Sequence, residues 1–414
     1  MAPSNATLFS YNDQAFPLHR YHTGLSEGQA SQVQFAEVSK NQDLPFQERI
    51  HHFTWAWFST SMSAGGLALL LAHTPHRFPG LTEIATSLFV LSLVLFSTFC
   101  VCIATRFILF RGTFRASVLH HTESLFFPTF WISIANITSN IAEYGAPKSG
   151  PWVDDVLRIV FWTYVGSTFL VAVGQYFFLF TGKPLTLQSF TPGWTLPIFP
   201  VMLSGTLAGA IAPTQATHQA LPILLAGLTF QGLGLMIAVF FYSIYLGRLM
   251  SNGLPAPNKR PGMFIAVGPP SFTALALLSM SEALASLTPP PTINHFTADP
   301  LLLPAIIRAI ALVAAIFLWA TALWFFSISL VSVIGGFYTG GMRFHLTWWA
   351  MTFPNIGFTI ATISIGKTLG SEGILWVSSG MTIVIVATWL FIAFSQVRGV
   401  WQKDILWPGK DEDQ

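Results

Sequence analysis

The chain has 414 residues, of which 19 are Lys or Arg and 17 are Asp or Glu, so charged residues make up only 9% of it, against about 25% in a soluble globular protein. Hydrophobic residues reach 52% and mean hydropathy is +0.59, which excludes a water-soluble monomer and indicates a polytopic membrane protein. The net charge of +2 leaves no basic face for nucleic acid, and two cysteines exclude a disulfide scaffold.

A polar tail precedes the apolar part of the chain. Residues 1–50 contain no apolar stretch as long as a signal-peptide core, and we interpret them as a disordered tail. Residues 51–400 are interpreted as the membrane domain and residues 401–414 as a short C-terminal tail. Ten apolar runs are long enough to cross a bilayer, which takes about 20 residues in a helix. The runs cover 53–73, 84–106, 125–143, 157–181, 193–212, 220–248, 262–287, 302–335, 346–368 and 373–398.

Lys and Arg predict how these ten spans are oriented. An even number of spans places both termini on one side, and positively charged residues in short loops stay in the cytoplasm. Most of the 19 Lys and Arg lie on the side of the termini, so both termini are predicted to be cytoplasmic. Arg77, Arg158 and Lys367 are exceptions at the outer mouth, where a cationic vestibule would concentrate anions. Isolated surface charges are the alternative interpretation.

Proline and glycine interrupt the odd-numbered runs. These residues are Gly65, Gly66, Pro128, Pro197, Pro200, Pro269, Pro270 and Pro354. Proline frees backbone carbonyls and bends a membrane helix, and such irregular backbone is tolerated where it is buried or lines a water-filled path. We therefore predict an all-α protein of ten transmembrane helices in five hairpins, with kinked inner helices in quasi-five-fold arrangement around a central pore. Kinks that serve only packing in an ordinary bundle are the alternative.

Small and polar residues beside these breaks are the candidates for lining the pore and binding substrate. They are Ser63, Gly65, Gly66, Asn136, Ser204, Ser271, Thr352 and Asn355. Hydroxyls, amides and opened helix ends bind an anion through dipoles, weakly enough to allow its release.

Few charged or catalytic groups lie inside the spans. Glu282 and Arg308 are expected at similar depth on antiparallel neighbours, so we predict that they form a structural ion pair or that Arg308 snorkels beside the carboxylate. A contact of Arg308 with the substrate is the alternative. No metal site is predicted, because the adjacent histidines at 51–52 and 120–121 would point about 100° apart on a helix. The sequence has no cofactor motif and no acid or histidine placed to orient an intramembrane serine, so an enzyme is not expected.

A series of segments resembles the fungal malic acid carriers of the tellurite-resistance/dicarboxylate transporter family. They are HFTWAWF at 52–58, SAGGLALLL at 63–71, LPIFP at 196–200, FQGLG at 230–234, RPGMFIAVGPP at 260–270, WWAMTFPNIGF at 348–358 and PGKDED at 408–413. The resemblance implies channel-like transport of malate, succinate, fumarate and similar C4-dicarboxylates across the plasma membrane. Sulfite or another small inorganic anion is the alternative cargo.

This family is in turn similar to the plant slow anion channels. That likeness implies ten helices in five hairpins around a central pore closed by a phenylalanine, and Phe353 of WWAMTFPNIGF holds the position of that gate. It also implies membrane lipid as a partner and allows a homo-oligomer by analogy with bacterial and plant relatives.

Overall fold

A computed structural model describes residues 45–120, 122–182, 186–287, 302–340 and 342–407. Within these ranges the regular secondary structure is entirely helical, and seven helical stretches are long and apolar enough to cross a membrane. The predicted N-terminal tail up to residue 44, His121, Lys183 and the PGKDED segment lie outside the described residues.

Thirteen α-helices follow one another along the described ranges. They are α1 (Phe46–His51), α2 (Phe58–His73), α3 (Leu81–Leu109), α4 (Thr113–Leu119), α5 (Pro128–Asn140), α6 (Trp152–Thr181), α7 (Phe199–Met202), α8 (Ser204–Ile211), α9 (Thr217–Asn252), α10 (Gly268–Ser286), α11 (Leu302–Tyr338), α12 (Phe353–Leu369) and α13 (Glu372–Trp401).

Five of these helices are long and largely exposed: α3, α6, α9, α11 and α13. They contain 29 to 37 residues, and only 17–33% of the residues in their most apolar windows are buried. Their exposed side chains are nevertheless apolar, such as Phe317 and Val331. An apolar surface of this extent suits the hydrocarbon core of a bilayer rather than water.

Shorter, buried elements alternate with the long helices along the chain. They are α2, α5, the pair α7 and α8, α10 and α12. In the helical stretches Pro192–Thr214 and Pro257–Ser286, which contain three of these helices, 89% and 83% of the apolar window is buried. Each buried element contacts the next one along the chain, and α12 contacts α2, so that these contacts close into a ring. The long helices pack against this ring, α3 on α2, α9 on α8, α11 on α10 and α13 on α12.

Proline stands at the start of four of the buried elements. Pro128, Pro200, Pro269 and Pro354 each occupy the first turn of an α-helix, directly after a 3₁₀ segment or turn. In that turn the missing N–H costs nothing, because the first N–H groups of a helix have no intrahelical partner. Pro200 and Pro269 thus mark the points where the helical stretches Pro192–Thr214 and Pro257–Ser286 change from 3₁₀ to α, whereas α2 runs through Gly65 and Gly66 without a break.

A buried ion pair ties the beginning of the ring together. The guanidinium of Arg106, at the end of α3, is paired with the carboxylate of Glu123, and both side chains are less than a tenth exposed. Arg106 also donates to the carbonyl oxygen of Phe53 at 2.8 Å. Ser117 of α4 donates to Glu123 Oε1 at 2.8 Å, and Trp55 Nε1 donates to Ser117 Oγ at 2.8 Å. The network thus joins α3, α4 and the segments that precede α2 and α5.

The first and last parts of the described chain also touch each other. His76, in the turn after α2, stacks on Trp376 of α13 with ring centroids 3.7 Å apart. At the other end of these two helices, Thr60 donates to Gln396 Oε1 at 3.0 Å. The guanidinium carbon of Arg49 lies 5.2 Å from the centroid of a Trp407 ring.

Candidate functional site

All five buried elements line a single cavity of about 480 Å³. Its open end lies between the C-terminal ends of these helices, where Glu143, Pro213 and Glu282 are exposed. Its closed end lies inside the molecule at Phe272 and Phe353, which are 5% and 2% exposed. The cavity therefore leads from the surface to a floor of aromatic rings.

Three phenylalanines from three different elements form this floor and its support, and we call them the aromatic cluster: Phe199, Phe272 and Phe353. The Phe272 and Phe353 rings stack with centroids 4.9 Å apart and planes 23° apart. Phe199 meets Phe272 edge-on at 5.6 Å and Phe353 at 6.1 Å. Offset stacking and edge contacts of this kind are the favourable geometries for aromatic pairs.

Each ring of the aromatic cluster packs on a glycine of a neighbouring helix. A Cβ atom on Gly66 would lie 3.1 Å from Phe353 Cδ2, one on Gly357 would lie 2.5 Å from Phe272 Cε2, and one on Gly268 would lie 2.6 Å from Phe199 Cε2. Contacts under 3.0 Å require a shift of one group. The rings thus fill the space that the absent side chains leave between the helices.

Apart from the His73 imidazole, whose Nδ1 lies 2.8 Å from the carbonyl oxygen of Leu69, the polar part of the cavity wall presents mainly oxygen acceptors. Thr206 and Ser279 donate their hydroxyl protons to carbonyls of their own helices at 2.9 and 3.2 Å. Asn136 Nδ2 donates to the carbonyl of Met62 at 2.9 Å, which commits its amide to the neighbouring helix. Glu143 and Glu282 add two carboxylates near the open end.

The structure brings three of the predicted pore residues to the cavity: Gly66, Asn136 and Phe353. Ser63 and Thr352 meet away from the cavity wall, with their hydroxyl oxygens 2.9 Å apart. A Cβ on Gly65 would contact Asn136 Cβ at 3.2 Å, so this glycine allows α2 and α5 to pack closely.

The other three predicted pore residues are buried off the cavity wall. Ser271 donates to the carbonyl of Val267 at 2.6 Å, and Asn355 Nδ2 donates to the carbonyl of Met351 at 2.8 Å. Ser204 Oγ and Asn355 Oδ1 are buried without a hydrogen-bond partner in the structure.

None of the predicted outer-mouth cations lines the cavity. Arg77 donates to the carbonyls of Leu71 and Ala72 at the end of α2, at 3.2 and 2.5 Å. Such contacts satisfy free carbonyls and complement the negative end of the helix dipole.

The other two predicted cations do not line the cavity either. Arg158 pairs with Asp155 at 2.7 Å and donates to Gln215 and Gln219. Lys367 is exposed near the end of α12. Their positions match the end of the molecule at which the cavity opens, but the wall itself carries carboxylates.

The predicted pair of Glu282 and Arg308 is not formed among the described side chains. No ion pair within 4.0 Å joins them, and both residues are exposed. Glu282 lies instead on the face of α10 that lines the cavity. A similar depth on neighbouring helices is therefore not sufficient for an ion pair, because the two side chains must also lie on helix faces that meet.

Sequence reasoning missed Phe272 and Phe199. Phe272 follows Gly268 by four residues in GPPSF, just as Gly357 follows Phe353 by four residues in FPNIG. A spacing of four places both residues of each pair on one helix face, and each segment contains proline. This shared pattern of glycine, proline and phenylalanine is the signal that could have found the second ring.

No group of three His, Cys, Asp or Glu side chains suited to a metal ion occurs in the part of the chain that the structure describes.

Comparison with known proteins adds independent information. A family model described as SLAC1, voltage-dependent anion channel, matches residues 52–397. A malic acid transport protein of Schizosaccharomyces pombe is 34% identical over 375 residues, which cover 90% of this chain and 84% of that protein. A putative malic acid transport protein of the same organism is 32% identical over 89% of this chain and 85% of its own length. A sulfite efflux pump SSU1 of Arthroderma otae is 28% identical over 83% of this chain and 89% of the pump.

Proposed function

The chain belongs to the SLAC1 voltage-dependent anion channel family, and we propose that it carries malate and related C4-dicarboxylates across the plasma membrane through a channel-like path. The observation that carries the proposal is its 34% identity, over 90% of its length, to a malic acid transport protein. Succinate and fumarate share the two carboxylates and the four-carbon chain of malate, so they belong to the same proposed class. Transport rather than catalysis is the activity proposed.

The proposed architecture is ten membrane-crossing helices in five hairpins around a central pore, with both termini in the cytoplasm. Alternation of buried and exposed helices, and the closed ring of contacts among the buried ones, support this arrangement. In this orientation the cavity opens to the outside of the cell. Its volume of about 480 Å³ lies within the range of about 300–1,000 Å³ typical of small-molecule sites.

The aromatic floor of the cavity supplies the proposed gate. Phe353 closes the inner end of the cavity, and an apolar constriction strongly disfavours passage of a hydrated anion. Movement of this ring would open the path. The hydroxyls and the amide of the cavity wall, whose protons are donated to helix carbonyls, would bind a carboxylate only weakly, as throughput requires.

Sulfite efflux is the second candidate, favoured by the similarity to the sulfite efflux pump. The identity to that pump is 28%, against 34% to the malic acid transport protein. A cavity of this size accepts either anion, so the choice rests on the comparison of sequences.

Transport by the purified full-length protein in proteoliposomes tests the proposal. We expect uptake of radiolabelled malate that succinate and fumarate inhibit strongly and sulfite inhibits weakly, with protein-free liposomes as the control. Uptake of labelled sulfite without uptake of malate would contradict the proposal and favour the second candidate.

A further inference from the structure

We propose that Phe272 is a second barrier residue, which together with Phe353 closes the path as a two-ring barrier. The inference rests on the proposed transport function and deepens it by adding a residue from another helix. Both rings form the floor of the cavity, and both are almost fully buried. An anion that leaves the cavity toward the interior must therefore pass both of them.

The contacts of Phe272 place it beside Phe353, so that each ring blocks part of the path. Gly357 follows Phe353 by four residues on α12, so the two share a helix face. Phe272 lies on that face: it stacks on Phe353 at 4.9 Å, and it fills the space where a Gly357 side chain would stand. Removal of Phe353 alone consequently leaves Phe272 in place beside α12.

Phe199 packs on the side of Phe272 that faces away from the cavity. It does not line the cavity, it packs on Gly268, and it contacts the Phe272 ring edge-on at 5.6 Å. Gly268 and Phe272 are again four residues apart, on one face of α10. Phe199 is thus a positioning residue, whereas Phe272 and Phe353 face the passing anion.

Flux of two probe anions, chloride and malate, tests the proposal in proteoliposomes that contain the full-length protein. The variants are Phe272→Ala, Phe353→Ala and the double variant. We expect each single variant to raise the flux by about fivefold, the effect of losing one stacked aromatic pair, and the double variant to raise it further. The ratio of chloride to malate flux should also move toward one, because a wider path discriminates less between anions.

Phe358→Ala is the matched control. Phe358 is on α12, is 2% exposed, and packs on Trp319 and Phe326 away from the cavity. We expect it to leave both fluxes and their ratio unchanged. If Phe272→Ala does not fold, Phe272→Leu replaces it, since leucine keeps an apolar side chain of smaller cross-section, and a smaller rise in flux is then expected.

The outcomes test the two-ring barrier and the proposed malate cargo separately. If no variant carries malate but Phe272→Ala raises chloride flux, the barrier is supported and the proposed cargo is wrong. If the parent carries malate and Phe353→Ala raises both fluxes, while Phe272→Ala or its leucine replacement matches the parent, then Phe272 is not part of the barrier.

Discussion

Phe353 has the surroundings expected of a ring that can move out of a path. It is 2% exposed, lines the cavity floor, and packs between Gly66 and the Phe272 ring. We expect Phe353→Ala to raise malate flux about fivefold, because the path loses a ring and an aromatic stack worth about 1 kcal/mol. Selectivity among anions should weaken at the same time. Initial rates of malate uptake, normalised to reconstituted protein, measure the change.

Phe358 again provides the comparison for this assignment. The two phenylalanines are five residues apart on one helix, but only Phe353 reaches the cavity. The assignment of the gate to Phe353 would be wrong if the Phe358→Ala protein transported faster than the parent and the Phe353→Ala protein did not.

Among the residues that the structure describes, Arg106 and Glu123 are the only charged side chains that are buried, and their ion pair helps to hold the helices together. We expect Glu123→Ala to destabilise the protein by about 3–5 kcal/mol, because it leaves the guanidinium buried without its counter-charge. A clear fall in Tm, measured by thermal unfolding in detergent, checks this. Replacing both residues, as in Arg106→Met with Glu123→Leu, should restore much of the lost stability.

Glu372 provides an exposed pair to compare with the buried pair of Arg106 and Glu123. Its carboxylate lies 3.8 Å from His76 Nε2, but its side chain is 78% exposed. Exposed ion pairs contribute about 0–1 kcal/mol, so Glu372→Ala should barely change the Tm. Equal losses of Tm in Glu123→Ala and Glu372→Ala would contradict the importance of burial.

Hydropathy predicts the long helices well, since each is a continuous apolar stretch. The run predicted at 84–106 corresponds to Leu81–Leu109, and the run at 373–398 corresponds to Glu372–Trp401. The bounds of the buried helices are harder to predict from the sequence, because proline is compatible either with a kink in a helix or with the first turn of a helix. The run predicted at 125–143 is in fact a 3₁₀ segment, an α-helix and a short π-helix in succession.

The candidate site was predicted only in part, for a related reason. Phe353, Gly66 and Asn136 stand beside breaks in the apolar runs, and the cavity contains all three. Phe272 and Phe199 join them through contacts between helices that are far apart in sequence. Such pairing depends on which faces meet, and a single sequence does not determine that.

At the scale of the whole molecule, the acidic and basic side chains near the mouth of the cavity are placed differently. Glu143 and Glu282 line the cavity, whereas Arg77 and Arg158 are bound to groups outside it. We expect Glu143→Gln combined with Glu282→Gln to speed the uptake of external malate by severalfold at low salt, since carboxylates repel an approaching dianion. The gain should shrink above about 0.1 M salt, where the Debye length is about 10 Å.

The two arginines provide a second test of the electrostatic field at the mouth of the cavity. The predicted cationic vestibule requires that Arg77→Gln with Arg158→Gln weaken the apparent affinity for external malate at low salt. We expect little change, because neither guanidinium lines the cavity. A marked loss of affinity, or slower uptake in the glutamate variants, would show that the arginines dominate the field at the mouth.

The first and last buried helices contact each other, so the ring of buried helices has no gap at the point where the chain begins and ends. Arg49 lies beside Trp407, and His76 stacks on Trp376, so the two ends of the described chain already meet. A circular permutant is therefore feasible, with Trp407 joined to Pro45 by a Gly/Ser linker and new termini at the exposed turn between Gly253 and Leu254. We expect it to fold and to transport malate at a rate close to that of a linear 45–407 chain, as measured in proteoliposomes. An unfolded permutant beside a folded linear control would instead show that the ring must be assembled in the order in which its helices leave the ribosome.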